Sequence, residues 1–269
     1  MLDPQQRQSA SDMLWDCWQQ GRRLSALPES VRPATREEGY AVQALLERRT
    51  KGPLFGWKIA ATSRAGQLHI GVDGPIAGRL LREQARDSGA RLPTSGNHMR
   101  VAEPEFAFRM ARELAPRGGT YTVQEVLAAV DTLHPAIEVP DSRYDDFAKV
   151  GGPQLIADDA CAHYFVLGPA TRADWRSKDL VEHAVRGIVS GKPPQYGKGA
   201  NVLGDPRVAL AWLANELSGL GIPLAAGQVV TTGTCMTPLA IGPGDTVVAD
   251  FGELGSVEVH FGEMESGNR

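Results

Sequence analysis

Apolar residues recur at helical spacing at the start of the chain and at strand spacing after it. Met13, Leu14, Cys17 and Trp18 fall on one side of a helix that Asp3-Pro4 opens, with a cap residue followed by proline in the first turn. Thr35-Arg36-Glu37-Glu38 has the form of a capping box, and Tyr40, Ala41, Ala44 and Leu45 supply the apolar stripe of a second helix. From about Leu54 the period shortens to two. LFGWKIAAT, VAEPEFAF, AIEVP, HYFVLG, GQVVTTGT, DTVVADF and SVEVHF are short runs rich in β-branched and aromatic residues, separated by Gly/Pro turns. Two helices are expected among them, one opening at Thr122 with Glu125 three residues on, the other at Asp205-Pro206. Many strands with few intervening helices predict an α+β fold with a mixed or mostly antiparallel sheet. A boundary near residue 53 would divide a helical portion, 1–53, from a β-rich catalytic domain, 54–269. No linker marks it, so the helical portion is expected to pack onto the core.

Composition narrows the function. At 269 residues the chain can bury one large core, and no apolar run approaches the ~20 residues of a membrane span. Its first twenty residues carry Asp3, Asp12 and Asp16 and lack the apolar centre of a secretory signal. A formal charge of −4 without a Lys/Arg block argues against nucleic-acid binding. Cys17, Cys161 and Cys235 are far apart and form no CxxC pair, which fits a reducing, cytoplasmic setting.

The candidate chemistry lies in the alternation itself. In VAEPEFAFRM, residues 101–110, Glu103, Glu105, Ala107 and Arg109 share one strand face, and Phe106, Phe108 and Met110 the other. The aromatic face belongs in a core. The glutamate face either meets water or meets something positive. A third carboxylate, Glu138, stands between Ile137 and Val139 in another apolar run. Solvent exposure would explain each one singly. Together, without His or Cys alongside, they make an all-oxygen site suited to Mg²⁺ or Mn²⁺. In LFGWKIAATS, Lys58 shares a face with Gly56, Ala60 and Thr62, which leaves room for a ligand beside its amine. It could bind a substrate carboxylate, move a proton, or be a surface lysine on an edge strand.

GWKIAATS, GVDGPIAGRLL, EPEFAF, AIEVPDSRY, IADDACAHYFVLG and PGDTVVADFGELGSVEVHF follow one another in an order that resembles the 2-keto-4-pentenoate hydratase and 4-oxalocrotonate decarboxylase branch of the fumarylacetoacetate hydrolase superfamily. The likeness covers nearly the whole chain. It implies a mixed β-roll with an N-terminal helical portion, a homo-oligomer, and association with a related pathway enzyme. Mg²⁺ or Mn²⁺ would be held by Glu103, Glu105 and Glu138, with Lys58 as a catalytic lysine. Thr62, Ile70, Asp159, Cys161 and Thr234 are the implied substrate-binding positions. Asp159 and Cys161 depart from the Asn and Ser usual there.

The implied activity is a metal-dependent lyase of small 2-oxo or 2-hydroxydienoic acids. Hydration of a 2-hydroxypenta-2,4-dienoate-type substrate comes first, and decarboxylation of an unsaturated 2-oxo diacid is the alternative. Hydratases of this group carry an acidic residue in a Pro-Asp-Phe-Gly stretch, and this chain has Pro75-Ile76-Ala77-Gly78 instead. Asp73 is the candidate stand-in. That stretch and the SRYDDF run are closer to the decarboxylases. An acylpyruvate carbon–carbon hydrolase would need a His–Glu pair, and His69 has no glutamate three or four residues on. An inactive supporting subunit is the non-enzyme alternative, and the presence of all three carboxylates and Lys58 weighs against it.

Overall fold

In the computed structural model, which describes residues 1–262, the chain enters through α1 (Pro4–Gln20) and α2 (Arg36–Gln43). It then forms β1 (Gly56–Ala60), α3 (Arg64–Ile70), β2 (Ile76–Leu80), β3 (Ala85–Asp87), β4 (Ala90–Leu92) and the long β5 (Val101–Met110). α4 (Val123–Leu127) leads into β6 (Val130–Val139), then α5 (Gly152–Ala157), β7 (Tyr164–Leu167), β8 (Ala184–Val189) and β9 (Gln195–Lys198). α6 (Pro206–Gly219), β10 (Val229–Thr234), β11 (Leu239–Ala240), β12 (Thr246–Asp250) and β13 (Ser256–Phe261) complete the described chain.

The strands make two mixed sheets. One runs β2-β1-β10-β5-β6-β7-β3, with β11 also on β5, and the other runs β4-β13-β12-β8-β9. The β1–β10, β3–β7 and β4–β13 pairs are parallel and the remaining pairs antiparallel. The expected α+β class and mixed sheet are therefore present. The aromatic face of β5 enters the core between the sheets: Phe106 and Phe108 are buried, and Phe106 meets Phe251 edge-to-face at 5.0 Å between ring centroids.

Asp3 caps α1 in a full capping box with Gln6. Ala10, Leu14, Leu27 and Val42 close a small core over Tyr144 and Ala157. α2 lies along α5, and Gly39 permits the close approach, because a Cβ there would sit 2.6 Å from the Pro153 carbonyl oxygen. The buried Gln43 carboxamide donates to Ala77 O and Ile156 O, which ties the helices to β2.

Three local expectations are corrected. Thr35 caps α2 through Glu38 N, but the Glu38 carboxylate accepts from Leu2 N and Ala34 N rather than closing the box on Thr35. The strand expected through residue 63 stops at Ala60, since Ala61 adopts φ +59° and Ser63 then caps α3. Helices α3 and α5 were not expected. Both are short, at seven and six residues, and lack an apolar stripe long enough to declare a period.

Candidate metal centre and active-site cavity

The register of β5 against β6 places Glu103 directly opposite Glu138 and Glu105 opposite Ala136. Alternation puts Glu105 on the face of Glu103, so all three carboxylates converge, with one oxygen of each within 4.8 Å of the other two. Like charges facing each other across a strand pair are destabilising unless something positive offsets them. Nor is the face wet. Glu105 and Glu138 are 0% and 1% exposed, while Glu103 is half-buried where it reaches the cavity.

Among the described residues, Lys58 is the one ammonium beside the cluster. It is 2% exposed, its Nζ lies 2.8 Å from Glu138 Oε1, and it donates to Ala160 O at 2.9 Å. The contact with Glu138 is an ion pair off the hydrogen-bonding directions, so neither Glu138 oxygen has a hydrogen-bond partner. Glu105 Oε2 accepts from Thr231 Oγ1 at 2.5 Å and from Gly233 N at 2.7 Å, which fixes that carboxylate, while its Oε1 has no partner.

Gly78 pairs with Lys58 across β1 and β2 and leaves space for its stem, since a Cβ would stand 2.9 Å from Lys58 Cδ and 2.4 Å from Asp159 O. The turn above holds Asp159, Ala160 and Cys161 at φ +55°, +50° and +62°, a left-handed run of non-glycine residues. Such a run costs roughly 1–3 kcal/mol per residue and persists only where its surroundings hold it. Here Asp159 Oδ1 accepts from Arg79 N at 2.6 Å, and the Cys161 carbonyl accepts from Asp141 N at 2.9 Å. The buried Arg143 guanidinium pairs with Asp158 and also donates to Ala162 O at 2.8 Å. The strain is therefore placed at the carbonyl that grips Lys58.

Burial and mutual repulsion both raise the carboxyls of Glu103 and Glu105 above their ordinary range, and burial alone raises Glu138. Burial opposes the charge on Lys58, but attraction to Glu138 and Glu103 outweighs it and holds the amine protonated. Three carboxylates against one ammonium leave a deficit of positive charge. The unpartnered oxygens Glu105 Oε1 and Glu138 Oε2 are hard donors facing that deficit, so the residues fit a hard divalent cation.

A cavity of about 1030 Å³ opens over this floor, and Lys58, Thr62, Ile70, Glu103, Cys161 and Thr234 all line it. Glu105 and Glu138 lie behind the floor. Asp159 is fully buried behind Ala160, its carboxyl pushed up to about 7, chiefly by burial, with Oδ2 unpartnered. Asp73 is not brought to the site. It is exposed on the turn after α3 and absent from the cavity wall, while the apolar Ile76 does line it.

Sequence reasoning missed part of the wall. Ala200, Asn201, Leu203 and Gly204 come from a glycine-containing stretch that carried no motif. They are held there by bonds from Leu203 N to Thr62 O at 2.8 Å and from Asn201 Nδ2 to Cys235 O at 2.7 Å. Most of α3 lines the cavity too, and only its Ser63 and Gly71 caps could have betrayed the helix.

Residues 84–261 match the family described as fumarylacetoacetate (FAA) hydrolase, C-terminal. The 2-keto-4-pentenoate hydratase of Paraburkholderia xenovorans (strain LB400) is 32% identical over 263 residues, covering 97% of this chain and 96% of that protein. A 4-oxalocrotonate decarboxylase of a Pseudomonas species is 32% identical over 231 residues, 85% of this chain and 86% of that one. The solved 4-oxalocrotonate decarboxylase from Pseudomonas putida G7, complexed with magnesium and adipate, superposes with a TM-score of 0.88 at 28% identity, covering 97% of this chain and 99% of that one. With a family match across residues 84–261 and full-length relatives above 30% identity, this chain belongs to the fumarylacetoacetate hydrolase family.

Proposed function

We propose that the chain is a divalent-metal-dependent lyase of small 2-oxo and 2-hydroxydienoic acids, and that its principal reaction hydrates a 2-hydroxypenta-2,4-dienoate-type substrate to a 4-hydroxy-2-oxo acid. The observation that carries this reading is the buried Glu103–Glu105–Glu138 cluster with Lys58 at the floor of the cavity. Mg²⁺ or Mn²⁺ held by those carboxylates would polarise the 2-oxo oxygen and offset the negative charge that builds there on enolisation.

The chain's own groups do the rest. Lys58, gripped by Ala160 O and Glu138, would stand as an ammonium beside the head of the substrate and relay the proton, giving one up toward the substrate carbon as the enol hydroxyl returns one to the amine. Ketonisation takes the proton from the 2-hydroxyl to C5 and leaves a conjugated enone. Water then adds its oxygen at C4 and its proton at C3, so no redox partner is needed. Ile70, Ile76, Met99 and Met236 make the wall largely apolar, which suits a hydrocarbon chain beyond the polar head.

Decarboxylation of an unsaturated 2-oxo diacid is the second reading. It is favoured by Ile76, which occupies the cavity wall in the stretch where hydratases carry their acid, while Asp73 stays outside. Loss of the diene's ultraviolet absorbance without carbon dioxide release would establish the first reaction, and stoichiometric carbon dioxide from a diacid would establish the second. Loss of turnover in EDTA, restored by Mg²⁺ or Mn²⁺, tests the metal requirement for both.

We also propose a homo-oligomer, with association to a related pathway enzyme, to be measured by light scattering alone and after mixing. Among the described residues no helix is long and apolar enough to cross a membrane. The buried, unpaired Cys17, Cys161 and Cys235 support a reducing, cytoplasmic setting.

A further inference from the structure

Two segments hold Lys58. Its stem lies against Gly78, its partner across β1 and β2, and its Nζ donates to Ala160 O in the turn that follows α5. β2 is the last strand of its sheet, so the backbone groups on its outer edge need partners other than a strand. Tyr40 Oη accepts from Ala77 N at 3.0 Å, and the Asp159 carboxylate accepts from Arg79 N at 2.6 Å. The Gln43 carboxamide donates to Ala77 O at 2.9 Å.

Gln43 does more than close that edge. It is fully buried, and its Nε2 also donates to Ile156 O at 2.8 Å, in the helix that leads into the Asp159–Cys161 turn. Its Oε1 accepts from the guanidinium of Arg79, which stacks on Trp57 at 4.7 Å and pairs with Glu47 at 2.7 Å. Both amide hydrogens and the carbonyl oxygen are therefore engaged. One side chain of the N-terminal helical portion joins the strand beneath the Lys58 stem to the helix that delivers the carbonyl on its amine. Gln43 is absent from the cavity wall, so it acts on the chemistry only through what it holds. Without it, Ala77 O, Ile156 O and the Arg79 fork would lie unpaired in the interior, and β2 and α5 would have to shift to find partners.

We propose that Gln43 is a positioning residue, clamping β2 to α5 so that Lys58 stands where it can move the substrate proton. This rests on the assignment of Lys58 as the proton-moving group. A side chain that only stabilised the packing of α2 would affect folding and leave Lys58 in place.

The test compares Gln43→Met with Leu14→Ala, which opens the small helical core away from β2 and α5. Turnover of 2-hydroxypenta-2,4-dienoate with Mg²⁺ is read from the diene's ultraviolet absorbance, below the melting temperature of every variant. Gln43→Met should lower kcat by about 10–100-fold, the scale of a small misplacement of a reacting group, with KM and Mg²⁺ affinity within about twofold of wild type. Leu14→Ala should keep kcat within about twofold. Added to Lys58→Met, Gln43→Met should cost less than about twofold more, because its effect passes through the missing amine. In EDTA, amide exchange over residues 76–80 and 158–162 should quicken by about tenfold in Gln43→Met and not in Leu14→Ala. Should Gln43→Met fail to fold, Gln43→Glu carries the same expectations, since its carboxylate keeps the acceptor for Arg79 and ends both donations.

Wild-type kcat in the Gln43 variant, an equal loss in Leu14→Ala, or a full further loss on top of Lys58→Met would overturn the proposal. Wild-type kcat in Lys58→Met would overturn the role of Lys58, and that of Gln43 with it. A wild type inactive on this acid would overturn the principal reading, and the exchange rates in EDTA would still decide whether Gln43 holds the two segments.

Discussion

Replacing Glu105 with glutamine should separate stability from metal binding. In the fold, Glu105 is one of three carboxylates within 4.8 Å of one another, with one lysine nearby. Two unit charges at that distance repel by about 3.5 kcal/mol at an effective dielectric of about 20. Lys58 and partial protonation relieve most of this, so removing one charge should stabilise the metal-free fold by about 1–2 kcal/mol. The glutamine oxygen can still accept from Thr231 Oγ1 and Gly233 N, losing only charge assistance worth about 1 kcal/mol or less. The two effects nearly balance, with a small net gain. In EDTA, Glu105→Gln should therefore melt at or up to ~4 °C above wild type. With Mg²⁺ at about one hundred times its Kd, wild type gains about 2.7 kcal/mol, or ~5–10 °C, and the variant should gain almost nothing. Scanning calorimetry with and without Mg²⁺ reads both arms. A variant that melts well below wild type in EDTA yet keeps the Mg²⁺ shift would refute the reasoning, because the carboxylate would then be a structural bond rather than an ion ligand.

Lys58→Met should cut kcat by about 10²–10⁴-fold while leaving metal affinity equal or tighter, since the ammonium competes with a cation for Glu138; weakened metal binding in a titration would contradict that. Gly78→Ala places a methyl against Asp159 O and the Lys58 stem, costing about 1–3 kcal/mol of stability and, by displacing the amine, about 10²-fold in kcat. Wild-type turnover in that variant would show that the turn does not position Lys58. His163 is held neutral, its value lowered to about 3 by burial and then by Arg143 and Arg23, while its Nδ1 accepts from Trp18 Nε1. Because the unfolded chain protonates this ring below about 6.5, stability present above that pH is lost progressively as pH falls toward 3, about 1 kcal/mol by pH 5.5 after allowance for partial exposure. Urea midpoints of His163→Asn at pH 8 and pH 5.5 should differ by less than those of wild type; equal slopes would remove His163 as the cause.

Alternation alone grouped Glu103 with Glu105 and sent Phe106 and Phe108 inward, because a period of two fixes faces without knowledge of neighbours. It could not show that the opposite face is also buried. That follows from the Asp159–Cys161 turn, whose Ala160 carbonyl accepts from Lys58 beside the cluster, and from a cavity roofed partly by α3, all contacts between distant segments. Glu138 was grouped with that pair from its place as a lone charge in an apolar run and from the family resemblance, but its position opposite Glu103 comes from the β5–β6 register, which no local pattern states. Thr62 was assigned to the Lys58 face by extending the strand. It reaches the cavity by a different route, through the left-handed Ala61, which an alanine gives no reason to expect. Asp73 was attractive for its position beside Pro75, but direction is a property of the turn, and this turn points it to solvent. The left-handed Asp159–Cys161 run was equally hidden, since its residues are ordinary and only tertiary bonds hold them there.

Diffraction from crystals grown with Mg²⁺ and oxalate, an unreactive copy of the 2-oxo acid head, bears most directly on the centre. If Glu103, Glu105 and Glu138 jointly hold one catalytic ion, density should show a single cation bonded to an oxygen of each and chelated by oxalate, with Lys58 alongside. A cation bound elsewhere, or oxalate seated with the three carboxylates still bare around Lys58, would contradict it.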